Sequence, residues 1–264
     1  MPGPDPRAAL EVMEEAARDA GEIALTHFRA DPTVWEKSGG AGPVTEADLA
    51  VDRHLRERLL KALPGVGWLS EETEDGPERL SREATFIVDP IDGTRAFIEG
   101  SRTWAISIAL VAGTEPVAAA VHLPARGLTF TARAGGGAAK NGQPIRATQD
   151  IAPDRAHLLS AKSNFTPRYW QSVPPRPQLS FRSSLAYRMA LVAEGRFDGM
   201  LTLRNTWEWD VAAGALLVTE AGGRVATTEG APRFNSPAAA LPGLMAGAAP
   251  LIDAYAAHGP RLPA

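Results

Sequence analysis

Helical periodicity alternates along this chain with short unbroken apolar runs, and the two patterns together predict an α/β protein. Asp5-Pro6 is an N-cap and first-turn signal, and Met13, Ala16, Ala17, Ala20, Ile23 and Ala24 then recur on one face to about Phe28. Glycines and proline at 39–43 predict a loop. A second helix follows from Thr45, with Val51, Leu55 and Leu59 inward and an end near Pro64-Gly65. Thr45 and Asp48 stand at capping-box spacing, with Asp in place of the usual Glu or Gln. Thr85 to Val88 reads as a buried strand, and Trp104–Val111, Val117–Leu123 and Leu128–Ala132 as further strands. Pro124 to Gly127 and Asn141-Gly142 supply turns. The charged stretch Glu74–Glu83 reads as a surface excursion, and the proline-rich Pro167–Pro177 as an irregular loop. Ser183–Glu194 is predicted helical, with Leu185, Met189 and Val192 inward and Gly195 as its stop. A strand over Phe197–Leu203 and a small-residue helix over Val211–Ala221 complete the pattern.

Composition narrows the function classes. A chain of 264 residues can bury a large core, and its formal net charge of -4 gives no field for a nucleic-acid polymer. It has no cysteine, which removes disulfides, thiolate catalysis and cysteine metal sites. No apolar stretch is long enough to span a bilayer, and Glu11, Glu14 and Glu15 are unlike a secretory signal. The expectation is a cytoplasmic enzyme without membrane contact.

Candidate chemistry sits in four acidic elements. Asp89-Pro90-Ile91-Asp92-Gly93-Thr94 follows the Thr85 strand at once, so two carboxylates three positions apart leave a strand end. Hard divalent cations take such oxygen ligands. Ser70-Glu71-Glu72 lies upstream, Trp209-Asp210-Val211-Ala212-Ala213-Gly214 downstream, and Asp48 further upstream. Taken singly, each has an ordinary structural reading: a turn, a solvated glutamate pair, or a helix cap.

Their order and combination resemble the inositol monophosphatase family of lithium-sensitive, Mg²⁺-dependent phosphomonoesterases. The resemblance runs from about Lys37 to Gly223. It implies a layered αβαβα sandwich in two parts. Residues 1–150 would form an α+β part with an antiparallel sheet and most metal ligands, and residues 151–264 an α/β part with a mixed sheet and Asp210. It implies two or three Mg²⁺ ions: Glu71, Asp89 and the Ile91 carbonyl on the first, and Asp89, Asp92 and Asp210 on the second. Glu72 would be an outer group or a ligand of a looser third ion, and Lys37 would balance the cluster's charge. Asp48 and Thr94 would deprotonate the attacking water, and the amides of Gly93 and Thr94 would meet the phosphate. No phosphoenzyme is implied. A homodimer is implied, although no stripe in the sequence marks an interface.

The resemblance implies a small phosphate ester as substrate. Family members acting on inositol phosphates carry an acidic residue seven positions before the tryptophan-linked aspartate; here that position is Leu203, with Arg204 beside it and Glu208 nearer the metal ligand. Ser183-Ser184-Leu185, Leu191 to Gly195, and Gly93-Thr94-Arg95-Ala96-Phe97 look more like the 3′(2′),5′-bisphosphate nucleotidase branch. The last of these also resembles the histidinol-phosphate phosphatase branch. The leading substrate is 3′-phosphoadenosine 5′-phosphate, whose second phosphate suits the available Arg95, Arg102, Arg168, Arg182, Arg188 and Arg204, with Arg182, Ser184 and Arg204 as candidate contacts. Inositol 1-phosphate and histidinol phosphate stand as alternatives, and a catalytically idle phosphate-binding protein as an alternative of another class.

Overall fold

A computed structural model describes residues 4–30, 32–37 and 42–262. Most of the loop predicted at 39–43 therefore lies outside the described residues. Helix α1 (Pro6–His27) opens as expected, with the Asp5 carboxylate accepting from Arg7 N at 3.0 Å. Strands β1 (Val34–Glu36) and β2 (Pro43–Thr45) form an antiparallel ribbon leading into α2 (Glu46–Ala62). Next come β3 (Gly67–Ser70), β4 (Ala84–Asp92), the short α3 (Thr94–Ile98), β5 (Ala105–Ala112) and β6 (Glu115–Leu123). The hairpins β7 (Leu128–Arg133), β8 (Gly137–Lys140) and β9 (Gln143–Pro144) follow. The second half contains β10 (His157–Leu159), β11 (Gln178–Ser180), α4 (Leu185–Ala193) and β12 (Gly199–Trp207). It closes with α5 (Glu208–Glu220), β13 (Arg224–Ala226), β14 (Ala240–Gly247) and α6 (Ala249–Ala256).

Strands β3 to β9 form a seven-stranded sheet in sequence order, and β11-β10-β12-β14-β13 a five-stranded mixed sheet. Helices α1 and α2 cover one face of the first sheet, and α4 and α5 fill the space between the sheets. Helix α6 packs on β13 and β14, which completes an αβαβα sandwich. The core follows these layers. Phe86 and Val88 of β4 belong to the apolar cluster beneath α1 and α2, whereas Ile87 belongs to the cluster around α4 and α5. Strict alternation thus operates inside a strand buried on both faces. Gly214 explains the close approach of α4 and α5, because a Cβ there would lie 2.6 Å from Met189 Cβ.

Several local expectations are corrected. The first sheet is not wholly antiparallel: β3 runs parallel to β4, since residues 71–83 cross back instead of forming a hairpin. Within that crossing Arg79 is buried, so Glu74–Glu83 is not merely a surface excursion. Strand β4 continues to Asp92, although its pairing with β5 shifts between Asp89 and Asp92, where Pro90 has no N–H to donate. Strand β12 runs on past Leu203 to Trp207. Helix α5 starts at Glu208 with Trp207 at its N-cap, so Asp210 lies inside the first turn and is not itself the cap.

Candidate active site

The site is built where β4 ends against the starts of three helices. Asp89 and Asp92 face Ser107 and Ala105 of β5, and the register shift between them turns both side chains out of the ladder. Gly93 then adopts φ +101°, a left-handed backbone that lets the chain turn directly into α3. A Cβ there would lie 3.3 Å from Thr103 O and 3.5 Å from Ser184 Cβ. Asp210 arrives from the first turn of α5.

One oxygen from each of Asp89, Asp92 and Asp210 lies within 4.8 Å of the others. Asp92 Oδ2 is fully engaged by the start of α4, accepting from Ser184 Oγ at 2.7 Å and Ala186 N at 2.6 Å. Asp89 Oδ1 is buried and has no hydrogen-bond partner among the described residues. Burial, then the negative charges of Glu71, Asp92, Asp210 and Asp48, push the Asp89 carboxyl well above its usual range. Asp210 moves the same way through burial, Asp92 and Glu71, and burial lifts Asp92 to about 6. Crowded carboxylates with an orphaned acceptor are unstable as an anionic cluster unless a cation compensates them. An all-oxygen donor set of this kind fits a hard divalent cation such as Mg²⁺.

Asp48 resolves a competition visible in the sequence by dividing its two oxygens. Oδ2 accepts from Thr45 N at 2.8 Å and Thr45 Oγ1 at 2.5 Å, completing the capping box of α2. Oδ1 faces Thr94 Oγ1 at 3.2 Å, and the same hydroxyl lies 3.2 Å from the Ile91 carbonyl. Lys37 Nζ donates to Glu71 at 2.7 Å and Glu72 at 2.6 Å. Burial pushes Glu72 up to about 7 despite that contact. A residue that sequence patterning passed over also braces this segment. Buried Asp52 of α2 accepts from Ser70 Oγ at 2.5 Å and Thr73 Oγ1 at 2.7 Å, clamping both sides of Glu71-Glu72.

These groups open into a cavity of about 570 Å³, which Glu71, the three aspartates, Gly93 and Thr94 share with Arg188, Arg204, Phe181 and Trp207. Of the expected contacts, Gly93, Thr94, Ser184 and Arg204 line the cavity, and one, Arg182, is placed elsewhere. Arg182 does not line the cavity; its guanidinium donates to Phe181 O at 2.6 Å and lies 5.9 Å from the centre of the Phe197 ring. Arg188, one helical turn after Ser184, lines it instead. Ser184 does line the cavity, but its hydroxyl is spent on Asp92 and on Tyr187 N, at 3.0 Å. Glu208 is fully buried and faces the 235–236 loop, accepting from Asn235 N at 2.6 Å and Ser236 N at 2.9 Å. Its role is to anchor that loop beneath α5. Leu203 is buried in the cluster under α6, while Arg204, beside the irregular pairing of β12 with β14, reaches the cavity.

Residues 5–256 match the inositol monophosphatase family. The chain is 33% identical over 222 residues to a 3′(2′),5′-bisphosphate nucleotidase CysQ of Aggregatibacter actinomycetemcomitans, covering 81% of this chain and 82% of that protein. It is 34% identical over 238 residues to an inositol-1-monophosphatase of Rhizobium meliloti, covering 84% and 86%. The structure of an inositol monophosphatase (IMPase) from Thermotoga maritima superimposes with a TM-score of 0.79 at 28% identity, covering 94% of this chain and 95% of that one. The family match and these relatives together define a phosphoric monoester hydrolase. The chain belongs to the inositol monophosphatase family. Metal dependence, typically on Mg²⁺, is general in that family. Among the described residues no helix is long and apolar enough to cross a membrane.

Proposed function

We propose that the enzyme is a Mg²⁺-dependent phosphomonoesterase whose substrate is 3′-phosphoadenosine 5′-phosphate. The convergence of Asp89, Asp92 and Asp210 around an unpartnered buried oxygen supports the metal half of this reading. Glu71, Asp89 and the Ile91 carbonyl would hold one ion, and Asp89, Asp92 and Asp210 a second. Bound there, Mg²⁺ supplies Lewis acidity that makes water a better nucleophile and neutralises charge on the departing oxygen. Thr94 gives its hydroxyl proton to Asp48 Oδ1 and accepts the proton of the attacking water, which Asp48 can hold because burial raises its pKa. The water oxygen bonds to phosphorus as the ester P–O bond breaks. The backbone of Gly93 and Thr94 cradles the phosphate, and Lys37 holds Glu71 and Glu72 in place. The two parts of the chain, divided near residue 150, each contribute ligands to this site.

One observation carries the substrate half. Arg204 lines the cavity and, among the described residues, makes no ion pair with a carboxylate. Arg188 stands close enough that the two charges repel; burial lowers it to about 10, so it is still cationic at neutral pH. Two guanidinium groups beside a phosphate site suit a substrate with a second phosphate. Similarity to the CysQ nucleotidase agrees, and similarity to the inositol-1-monophosphatase makes inositol 1-phosphate the necessary comparison.

The test is phosphate release with Mg²⁺ from 3′-phosphoadenosine 5′-phosphate, inositol 1-phosphate and histidinol phosphate. The nucleotide should give the highest kcat/KM. Arg204→Gln should lower it about tenfold or more for the nucleotide and far less for the two monophosphates. A preference for inositol 1-phosphate would reject the substrate and leave the metal site standing. Lithium inhibition is expected as well.

A further inference from the structure

The chemistry at the aspartates needs no aromatic surface, yet two large aromatic side chains stand exposed on the wall of the same cavity. Trp207 is 50% exposed and Phe181 is 57% exposed. Large apolar surface left open at a binding cavity marks a contact that the free protein leaves unmade. Trp207 is also held rigidly. It ends β12 with its backbone paired to Ala240, and its ring stacks on Trp209 with centroids 4.9 Å apart and planes 12° apart. Trp209 belongs to the same turn as Asp210, so the position of the Trp207 ring is tied to the metal ligand. With one face covered by Trp209 and half the side chain exposed, the uncovered face is a flat platform at a set distance from the reacting phosphate. Phe181, the other of these two exposed aromatic side chains, carries the Arg188 guanidinium 4.2 Å from its ring centre. Arg204 lies three positions before Trp207 on the same strand.

We infer that Trp207 is a specificity-determining residue that stacks against a planar aromatic group of the substrate, a nucleobase, while Arg188 and Arg204 take its second phosphate. This rests on the bisphosphate reading above and adds the feature that separates a nucleotide from a sugar bisphosphate. A polyol ring presents hydroxyls and would need side-chain acceptors at this point. Instead, the neighbouring Leu203 is buried behind the sheet and the exposed group is an indole. Every nucleobase offers a π face, so stacking selects for a base without reading which base it is.

The experiment compares 3′-phosphoadenosine 5′-phosphate with its abasic counterpart, 1-deoxyribose 3,5-bisphosphate, which keeps both phosphates. Wild-type enzyme should prefer the nucleotide by about 10- to 100-fold in kcat/KM, the usual range for one stacked base. Trp207→Ala should lose most of that preference through a raised KM, with the abasic ester moving far less. Trp207→Phe should keep most of it, and its thermal midpoint controls for the uncovering of Trp209. A preference that survives in Trp207→Ala, or an equal loss on both substrates, overturns the inference. Wild-type turnover of both bisphosphates with no preference overturns it too, while leaving the bisphosphate reading intact. Turnover of inositol 1-phosphate alone rejects that reading and this inference with it.

Discussion

Asp48→Asn separates two jobs that one carboxylate performs. The cap depends on Oδ2, which accepts from Thr45 N and Oγ1, and an asparagine carbonyl placed there accepts both bonds. The proton transfer depends on Oδ1, where the amide would present N–H to Thr94 Oγ1 instead of a lone pair. The threonine proton would then turn to the Ile91 carbonyl, already 3.2 Å away. Asparagine also removes a charge whose burial holds the Asp48 carboxyl above its usual range. The stability change is therefore expected to be below about 0.5 kcal/mol, less than the 0.5–2 kcal/mol typical of losing a cap. Activity should respond far more. Loss of a positioned general base costs about 10²- to 10⁴-fold, or about 3–5 kcal/mol of transition-state stabilisation. Thr94→Val should cost a similar factor, and the double variant little more, because the two groups act as one relay. The assay pairs kcat at saturating Mg²⁺ with urea unfolding of the same preparations. Activity of Asp48→Asn within threefold of wild type would refute the relay. A fall in kcat accompanied by an equal loss of folding free energy would refute the division of labour between the two oxygens.

Arg79→Met should destabilise the fold by about 1–3 kcal/mol in urea unfolding, the usual cost of leaving buried hydrogen-bond acceptors unpaired, since Asp75 itself stays partly exposed to water. The change removes bonds of 2.6 and 2.8 Å to Asp75, 2.7 Å to Asn235 and 2.9 Å to Ser236 O, and takes away a nearby positive charge that favours the ionised form of the buried Glu208. A cost below about 1 kcal/mol would show that the brace under α5 is not structural. His122 should stay neutral to unusually low pH, because burial lowers its pKa from 6.5 to about 4. The unfolded chain takes up this proton first, so His122 contributes fully to stability above pH 6.5. On the order of 3 kcal/mol is lost as pH falls from there to about 4. An NMR titration of the ring checks it, and a midpoint near 6.5 would contradict the assignment.

The elements of the fold were legible because their signals are local, whereas their layering came from the family resemblance. The Asp5-Pro6 start, the Thr45 and Asp48 box, the unbroken run Thr85–Val88 and the Gly195 stop each specify an element through nearby chemistry. The acidic residues were legible as motifs, since Asp89, Asp92 and Asp210 sit at fixed offsets from strand and helix boundaries. What escaped the sequence depends on which side of an element faces the cavity. Arg182 and Arg188 look equivalent in sequence, but the α4 start at Ser184 turns Arg188 inward and leaves Arg182 on its own loop. Arg204 lines the cavity as expected, but the irregular pairing of β12 with β14 beside it, and the burial of Leu203 behind the sheet, depend on a partner strand far along the chain. Arg79 read as one more surface charge because its partners at Asn235 and Ser236 are over 150 positions away.

The central claim is that Asp89, Asp92 and Asp210 hold catalytic Mg²⁺. Its most direct test is the Mg²⁺ dependence of phosphate release from 3′-phosphoadenosine 5′-phosphate by the wild type and Asp89→Asn, with thermal unfolding of the metal-free proteins alongside. Wild-type turnover should be saturable in Mg²⁺ and abolished by chelation, and Asp89→Asn should fall by about 10³-fold or more at every Mg²⁺ concentration. The metal-free variant should melt no lower than wild type, because the substitution relieves a crowded, buried carboxylate. Asp89→Asn following the wild-type Mg²⁺ curve, or undiminished wild-type turnover under chelation, would contradict the account.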